Sequence, residues 1–98
     1  MDKIMIARIW RGILRANAAE EYLRYLGERV LPDYRAARGN LSIHILLDAQ
    51  GEFVTILLLS FWESRAALEV FRDPHKPDEF LLASEAATVY EVIANESS

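Results

Sequence analysis

The stretch Phe53–Trp62, FVTILLLSFW, runs directly into residues 63–71, ESRAALEVF, and its reading decides how this chain folds. The first part reads as a long strand entering a helix through Trp62, Glu63 and Ser64. A strand with one buried face alternates apolar and polar side chains, whereas Ile56, Leu57, Leu58 and Leu59 are apolar without a break. Both faces therefore need a cover. Because 98 residues supply few layers of their own, the chain's own helices are expected on one face and a second copy of the chain on the other.

Upstream, residues 41–47 read as the partner strand of a hairpin with residues 52–62. Asp48, Ala49, Gln50 and Gly51 form its loop, with Gly51 supplying a positive φ. Residues 3–12 are the first strand, with Ile4, Ile6, Arg8 and Trp10 on one face and Met5, Ala7, Ile9 and Arg11 on the other. Asn17 then caps a helix whose stripe Ala19, Tyr22, Leu23, Leu26 and Val30 follows helical spacing. Gly27 lies in its middle, Pro32 kinks or ends it, with residues 33–37 continuing it after a bend, and Gly39 and Asn40 stop it. Downstream, residues 64–72 form a second helix broken by Asp73-Pro74 and again by Pro77. A short helix over residues 78–84 turns Phe80, Leu81 and Leu82 inward, and residues 88–94 are the last strand.

Strand, helix, strand, strand, helix, strand is the α+β, ferredoxin-like βαββαβ order, in which an antiparallel sheet has strands one and three in the centre and helices on one face. With both strand faces apolar, two such sheets close into a dimeric α+β barrel. One domain is expected over residues 1–98, with 95–98 a polar tail.

Composition narrows the function classes. Hydrophobic residues make up 52% and charged residues 27%, as in a folded globular domain. The net charge of −4, without a stripe of Lys or Arg, speaks against nucleic acid as partner. There is no cysteine, so thiolate metal sites and Cys nucleophiles are excluded. The start, MDKIMIARIWRG, alternates in place of a continuous apolar core, and no stretch is long enough to span a bilayer. A cytoplasmic protein with no membrane partner is expected.

Taken together, SFWES at residues 60–64, IARIWRG at residues 6–12 and LPDYRAARGN at residues 31–40 make the chain resemble the antibiotic biosynthesis monooxygenase (ABM) family over nearly its whole length. The nearest likeness is to a branch of small bacterial proteins with PDEFLL-like and YEV-like endings, here residues 77–82 and 90–92. The resemblance implies the dimeric α+β barrel argued above. It also implies oxidation of an electron-rich aromatic polyketide or quinol by molecular oxygen, with no metal or flavin cofactor; a related branch degrades haem. Both activities typically use a Trp at the end of strand three, which Trp62 matches, and an Asn on strand one. That Asn is missing here: the strand offers Arg8 and Trp10, and Asn17 falls after it. The haem branch also uses a His on the second helix, whereas His75 lies beyond Pro74. Neither activity carries over intact.

Each candidate residue has a functional and a packing interpretation. Trp62 is a cavity wall for a flat substrate or a core indole whose N–H finds a partner. Trp10 and Tyr90 are further aromatic substrate walls or core and dimer contacts. His44, in SIHILL, is the residue best suited by chemistry to take a proton near neutral pH, or else a hydrogen-bonded strand histidine. Cofactor-free oxygenation needs such a proton transfer, because a phenol or enol donates an electron readily to oxygen only once deprotonated. Whether His44 shares a site with Trp62 depends on register: if Leu47 pairs with Glu52, His44 lies opposite Thr55 and away from Trp62, and a one-residue slip reverses this. Arg8, a charge in an apolar strand, holds an anionic or phenolate group or forms an ion pair at the dimer seam. Tyr34 and Arg35 line a pocket mouth or a solvated helix end. Asp73, His75 and Asp78 carry ligand-type side chains, but their prolines and lack of a spaced second His speak against a metal site. The functions in view are thus a cofactor-independent monooxygenase with His44, Trp62 and Arg8 as catalytic residues, a non-catalytic barrel for a small apolar ligand or an accessory role, and haem binding or degradation.

Overall fold

The alternation along the FVTILLLSFW strand sets the architecture. In the computed structural model, which describes residues 4–71 and 80–96, strand β3 (Phe53–Trp62) runs antiparallel to β1 (Ile6–Arg15) along its whole length, from Ile6 opposite Trp62 to Arg15 opposite Phe53. β2 (Asn40–Gln50) flanks β3 and β4 (Ala83–Glu91) flanks β1, giving the order β2-β3-β1-β4. This is the ferredoxin-like α+β fold, with strands one and three central. Val54, Ile56, Leu58, Ser60 and Trp62 of β3 are buried under the helices. On the opposite face Thr55, Leu57, Leu59 and Phe61 are half-covered and Phe53 is exposed.

The helical cover is α1 (Ala19–Tyr25), a π-helical turn (Leu26–Val30) and α2 (Leu31–Ala36) in one run, preceded by a 3-10 turn at Ala16–Ala18. Its buried residues are Tyr22, Leu26, Val30 and Tyr34, each four positions after the last. In an α-helix every such step overshoots a full turn by about 40°, so three steps would swing Tyr34 about 120° off the buried stripe. The wider π turn absorbs that drift. Pro32 accounts for its position: a proline lacks the N–H of the helical ladder and its ring presses on the carbonyl four residues back, which a regular α-turn does not accommodate. Pro32 therefore opens α2 in place of ending the helix.

Several boundaries differ from the sequence expectation. The β2–β3 loop has two residues, with Gln50 opposite Phe53 and Gly51 at φ 62°, so Asp48, Ala49 and Gln50 belong to the strand. The longer hairpin follows from β1, which extends to Arg15 and pairs with Phe53. Asn17 caps nothing: the cap position of α1 is Ala18, without a side-chain hydrogen bond. The second helix, α3, is short (Arg65–Val70), and Ser64 caps it by accepting from the Ala67 N–H at 3.1 Å. Residues 83 and 84 are strand and not helix, because they pair with Ile13 and Gly12 of the extended β1. Phe80 does turn inward, onto Tyr22 and Tyr25 at centroid distances of 5.3 and 5.7 Å. Leu82 is exposed.

Gly39 joins the helical run to β2 at φ 87°, where its carbonyl accepts from the Glu63 N–H at 2.8 Å. A Cβ there would lie 2.5 Å from the Ala67 Cβ. Gly39→Ala is expected to lose about 1–3 kcal/mol through backbone strain and overpacking. Gly27→Ala, with open space around the added methyl, is expected to gain about 0.4–1 kcal/mol. Urea denaturation of the two variants beside the parent measures both signs.

Candidate functional site under the helices

The in-register pairing of β1 and β3 places Arg8 beside Ser60 and one pleat from Trp62, on the face the helices cover. The π turn brings Tyr34 down onto the same place. Arg8 Nη1 donates to the Tyr34 hydroxyl at 2.9 Å, and Trp62 Nε1 donates to Ser60 Oγ at 2.9 Å. Phe71, immediately after α3, completes an aromatic triangle: its ring is 4.7 Å from Tyr34 and 4.9 Å from Trp62, which are 6.2 Å apart. Tyr34 and Trp62 are fully buried, while Arg8 and Phe71 are half-buried. Among the described residues no buried side-chain polar atom lacks a hydrogen-bond partner.

This constellation sets a permanent cation and a phenol hydroxyl against three packed aromatic rings. A guanidinium is always charged and favours the anionic form of an oxygen brought beside it, so this one would stabilise a phenol or enol placed there as its anion. The rings favour flat, electron-rich partners through offset and tilted contact.

Of the residues singled out from sequence, Arg8, Tyr34 and Trp62 come together. Tyr34 lies at the centre of the cluster and not at a pocket mouth, because the π turn rotates it inward, whereas its neighbour Arg35 is exposed. Trp10 lies on the same face but folds its indole over Gly12, where a Cβ would meet the ring at 2.5 Å. His44 is opposite Leu59, not Thr55, on the uncovered face, so it does not share a site with Trp62. It contacts Ser42 Oγ at 3.2 Å and meets the Phe61 ring edge-on at 6.1 Å. Tyr90, paired with Ala7 on the other edge strand, shares that uncovered face and is half-exposed. Three strand spacings, about 14 Å, separate the strands of His44 and Tyr90. Asp73, His75 and Asp78 lie outside the described residues, and among the described ones no three His, Cys, Asp or Glu side chains converge as for a metal ion.

Ser60 and Phe71 are the members that sequence reasoning missed. Ser60 had a signal, as the one polar residue at an inward position of an apolar strand, two residues before a Trp. Tyr34 continues the four-residue spacing from Tyr22, but its inward direction depends on the π turn, which that spacing does not fix. Phe71 had no signal, since its contact depends on where α3 ends.

The family model for antibiotic biosynthesis monooxygenase matches residues 5–75. The chain belongs to this family. Its fold is similar to that of Rv0793 from Mycobacterium tuberculosis, at 28% identity and a TM-score of 0.71 over 96% of this chain and 99% of that one. It is also similar to the haem-free structure of the haem-degrading protein Rv3592 from the same organism, at 17% identity and a TM-score of 0.76 over 99% and 100% of the two chains. PA3566 from Pseudomonas aeruginosa matches at 19% identity and a TM-score of 0.71 over 96% and 99%. No curated protein matches the chain. Among the described residues no helix is long and apolar enough to cross a membrane.

Ser60→Ala leaves the Trp62 indole N–H without its partner in a dry site. The expected loss is about 1–3 kcal/mol, the range for an orphaned buried donor. Equilibrium urea unfolding followed by far-UV dichroism measures it, and Ser60→Thr, which keeps the hydroxyl, is expected to lose less.

Proposed function

We propose that this protein is a cofactor-independent monooxygenase that oxidises a small electron-rich aromatic or quinol with molecular oxygen. The observation that carries the proposal is the Arg8–Tyr34 pair at 2.9 Å beside the Trp62 ring, a cation and a hydroxyl set against an aromatic wall. In this reading Arg8 holds the substrate oxygen as its anion and the proton leaves to water. The anion passes one electron to oxygen, and the radical pair combines into a carbon–peroxide bond. Loss of water then leaves a new carbonyl, one oxygen atom in the product and the other in water, with no external reductant. Trp62 and Tyr34 supply walls. His44 lies outside this site, and Tyr90 belongs to the opposite face.

The homodimer belongs to the same proposal. The uncovered face carries Ile9, Ile13, Leu57, Leu59 and Phe61 with exposed Leu46, interrupted by Arg11 between Ile9 and Ile13, and apolar side chains gathered on one uncovered face mark an interaction surface. A second copy laid sheet to sheet covers it and places His44 and Tyr90 at the seam. The cytoplasm is the proposed setting, supported by a composition that needs no oxidising compartment.

A second reading, a non-catalytic barrel that binds a small apolar ligand, is supported by the complete burial of Trp62 and Tyr34. Haem binding draws less support: the likeness to the haem-degrading protein is one of fold, and His44 lies on the face away from Trp62.

Oxygen uptake with an anthrone, measured on protein free of metal and flavin, separates the first two. Uptake above the spontaneous rate is expected. Arg8→Met should lower kcat/KM about 10- to 100-fold, the loss of one charged hydrogen bond to the reacting anion, while His44→Ala leaves it unchanged. Absence of uptake supports the binding reading. For the dimer, Leu59→Asp is expected to convert a two-chain mass in light scattering to that of one chain; a parent that runs as a single chain overturns it.

A further inference from the structure

Tyr34 and Trp62 show no exposed surface, so any ligand that touches them has to displace a side chain. Among the described residues, Phe71 is the one whose ring contacts both of them and that also faces outward. It lines an open cleft of about 320 Å³ between the end of α2 and α3, together with Asp33, Ala37, Arg38, Ala67 and Val70. Its backbone has left the helix: at φ −71° and ψ 134° it is extended, held by an N–H bond to the Leu68 carbonyl at 3.1 Å. A side chain at such a junction turns without disrupting a helical ladder.

We propose that Phe71 is a gate between this cleft and the buried Arg8–Tyr34–Trp62 cluster, and that in the closed state its ring occupies the place of the ligand's ring. The proposal rests on the monooxygenase reading for the position of the site and names the route and shape of what enters. Phe71 contacts Tyr34 and Trp62 at tilts of 51° and 45°, so a planar arene entering from the α2–α3 cleft exchanges one set of ring contacts for another at little net cost. What an incoming hydroxyarene adds is an oxygen at the Arg8–Tyr34 end. That end selects for a ring hydroxyl, and the cleft admits it edge-first. The closed ring also lowers apparent affinity by the fraction of time the gate is open.

The test is anaerobic binding of 1-naphthol and of naphthalene, followed by quenching of tryptophan fluorescence at equilibrium and in stopped flow, so that it does not depend on turnover. In the parent, the observed binding rate is expected to level off with ligand concentration, because the gate must open first. In Phe71→Ala the plateau disappears and the Kd for 1-naphthol falls about tenfold, the gain for a gate open about one-tenth of the time. Phe71→Leu, which keeps more of the packing, moves both quantities in the same direction by a smaller factor. In all three proteins 1-naphthol binds more tightly than naphthalene. Equal Kd values in the parent and Phe71→Leu, or equal Kd values for naphthalene and 1-naphthol in Phe71→Ala, overturn the proposal; the second result is what a cavity without a selective end produces. If binding behaves as expected while oxygen uptake is absent, the gate stands and the oxygenase reading falls.

Discussion

The antiparallel pairing of β1 with β3 is the constraint on which the rest depends. It runs without a bulge from Ile6 opposite Trp62 to Arg15 opposite Phe53, and side-chain direction along a strand alternates with a period of two. A slip of one residue would therefore move Arg8 to the opposite face from Trp62 and Ser60. Apolar burial holds the register: Ile6, Leu14, Ile56, Leu58 and Trp62 are almost fully enclosed in the native alignment, and a slip would expose the entire set. The irregularities are confined to the edges. β2 has a bulge between Asn40 and Ser42, pinned by the Asn40 amide on the Ser42 and Phe61 carbonyls at 3.1 and 3.2 Å. β4 has another opposite Trp10.

The second constraint is the π turn. A proline within a helical run usually ends it or bends it away. Here the turn before Pro32 widens, and four side chains spaced by four stay on one face. The consequence is chemical as well as geometric, because the last of the four, Tyr34, is the residue that meets Arg8. A half-buried guanidinium in an apolar strand requires an acceptor, and the phenol oxygen is one. The widened turn thus links the packing of the helix to the polarity of the site.

The two faces of the sheet have separate chemistry. Under the helices lie a cation, a phenol, a serine and packed rings. On the other face lie His44, Tyr90 and apolar side chains, with exposed Arg11 among them, between Ile9 and Ile13 and 4.0 Å from Glu85; such pairs contribute little to stability. A histidine on a strand next to a tryptophan-bearing strand draws attention as a proton acceptor, but pairing opposite Leu59 places it one sheet thickness away from the indole. Proton handling in the proposed chemistry thus falls to electrostatic stabilisation by Arg8 and not to a neighbouring base.

How much was legible from residues alone differs between fold and site. Element order and the faces of β1 follow from hydrophobic periodicity, which is a local property, and the central place of strands one and three follows from that order; the second cover expected on β3 belongs to the proposal of a dimer. Arg8 stood out as a charge within an apolar strand, and Trp62 as the end of one, where the family resemblance implies a Trp. Tertiary structure decided what periodicity does not encode. The length of the β2–β3 hairpin depended on how far β1 runs, and with it the partner of His44. The inward turn of Tyr34 depended on how the helix absorbs Pro32. The contact of Phe71 with Trp62 depended on where α3 stops. Each is a matter of register or phase between distant elements: a chain specifies the period of each element locally, but the offset between two elements is set only when their side chains pack.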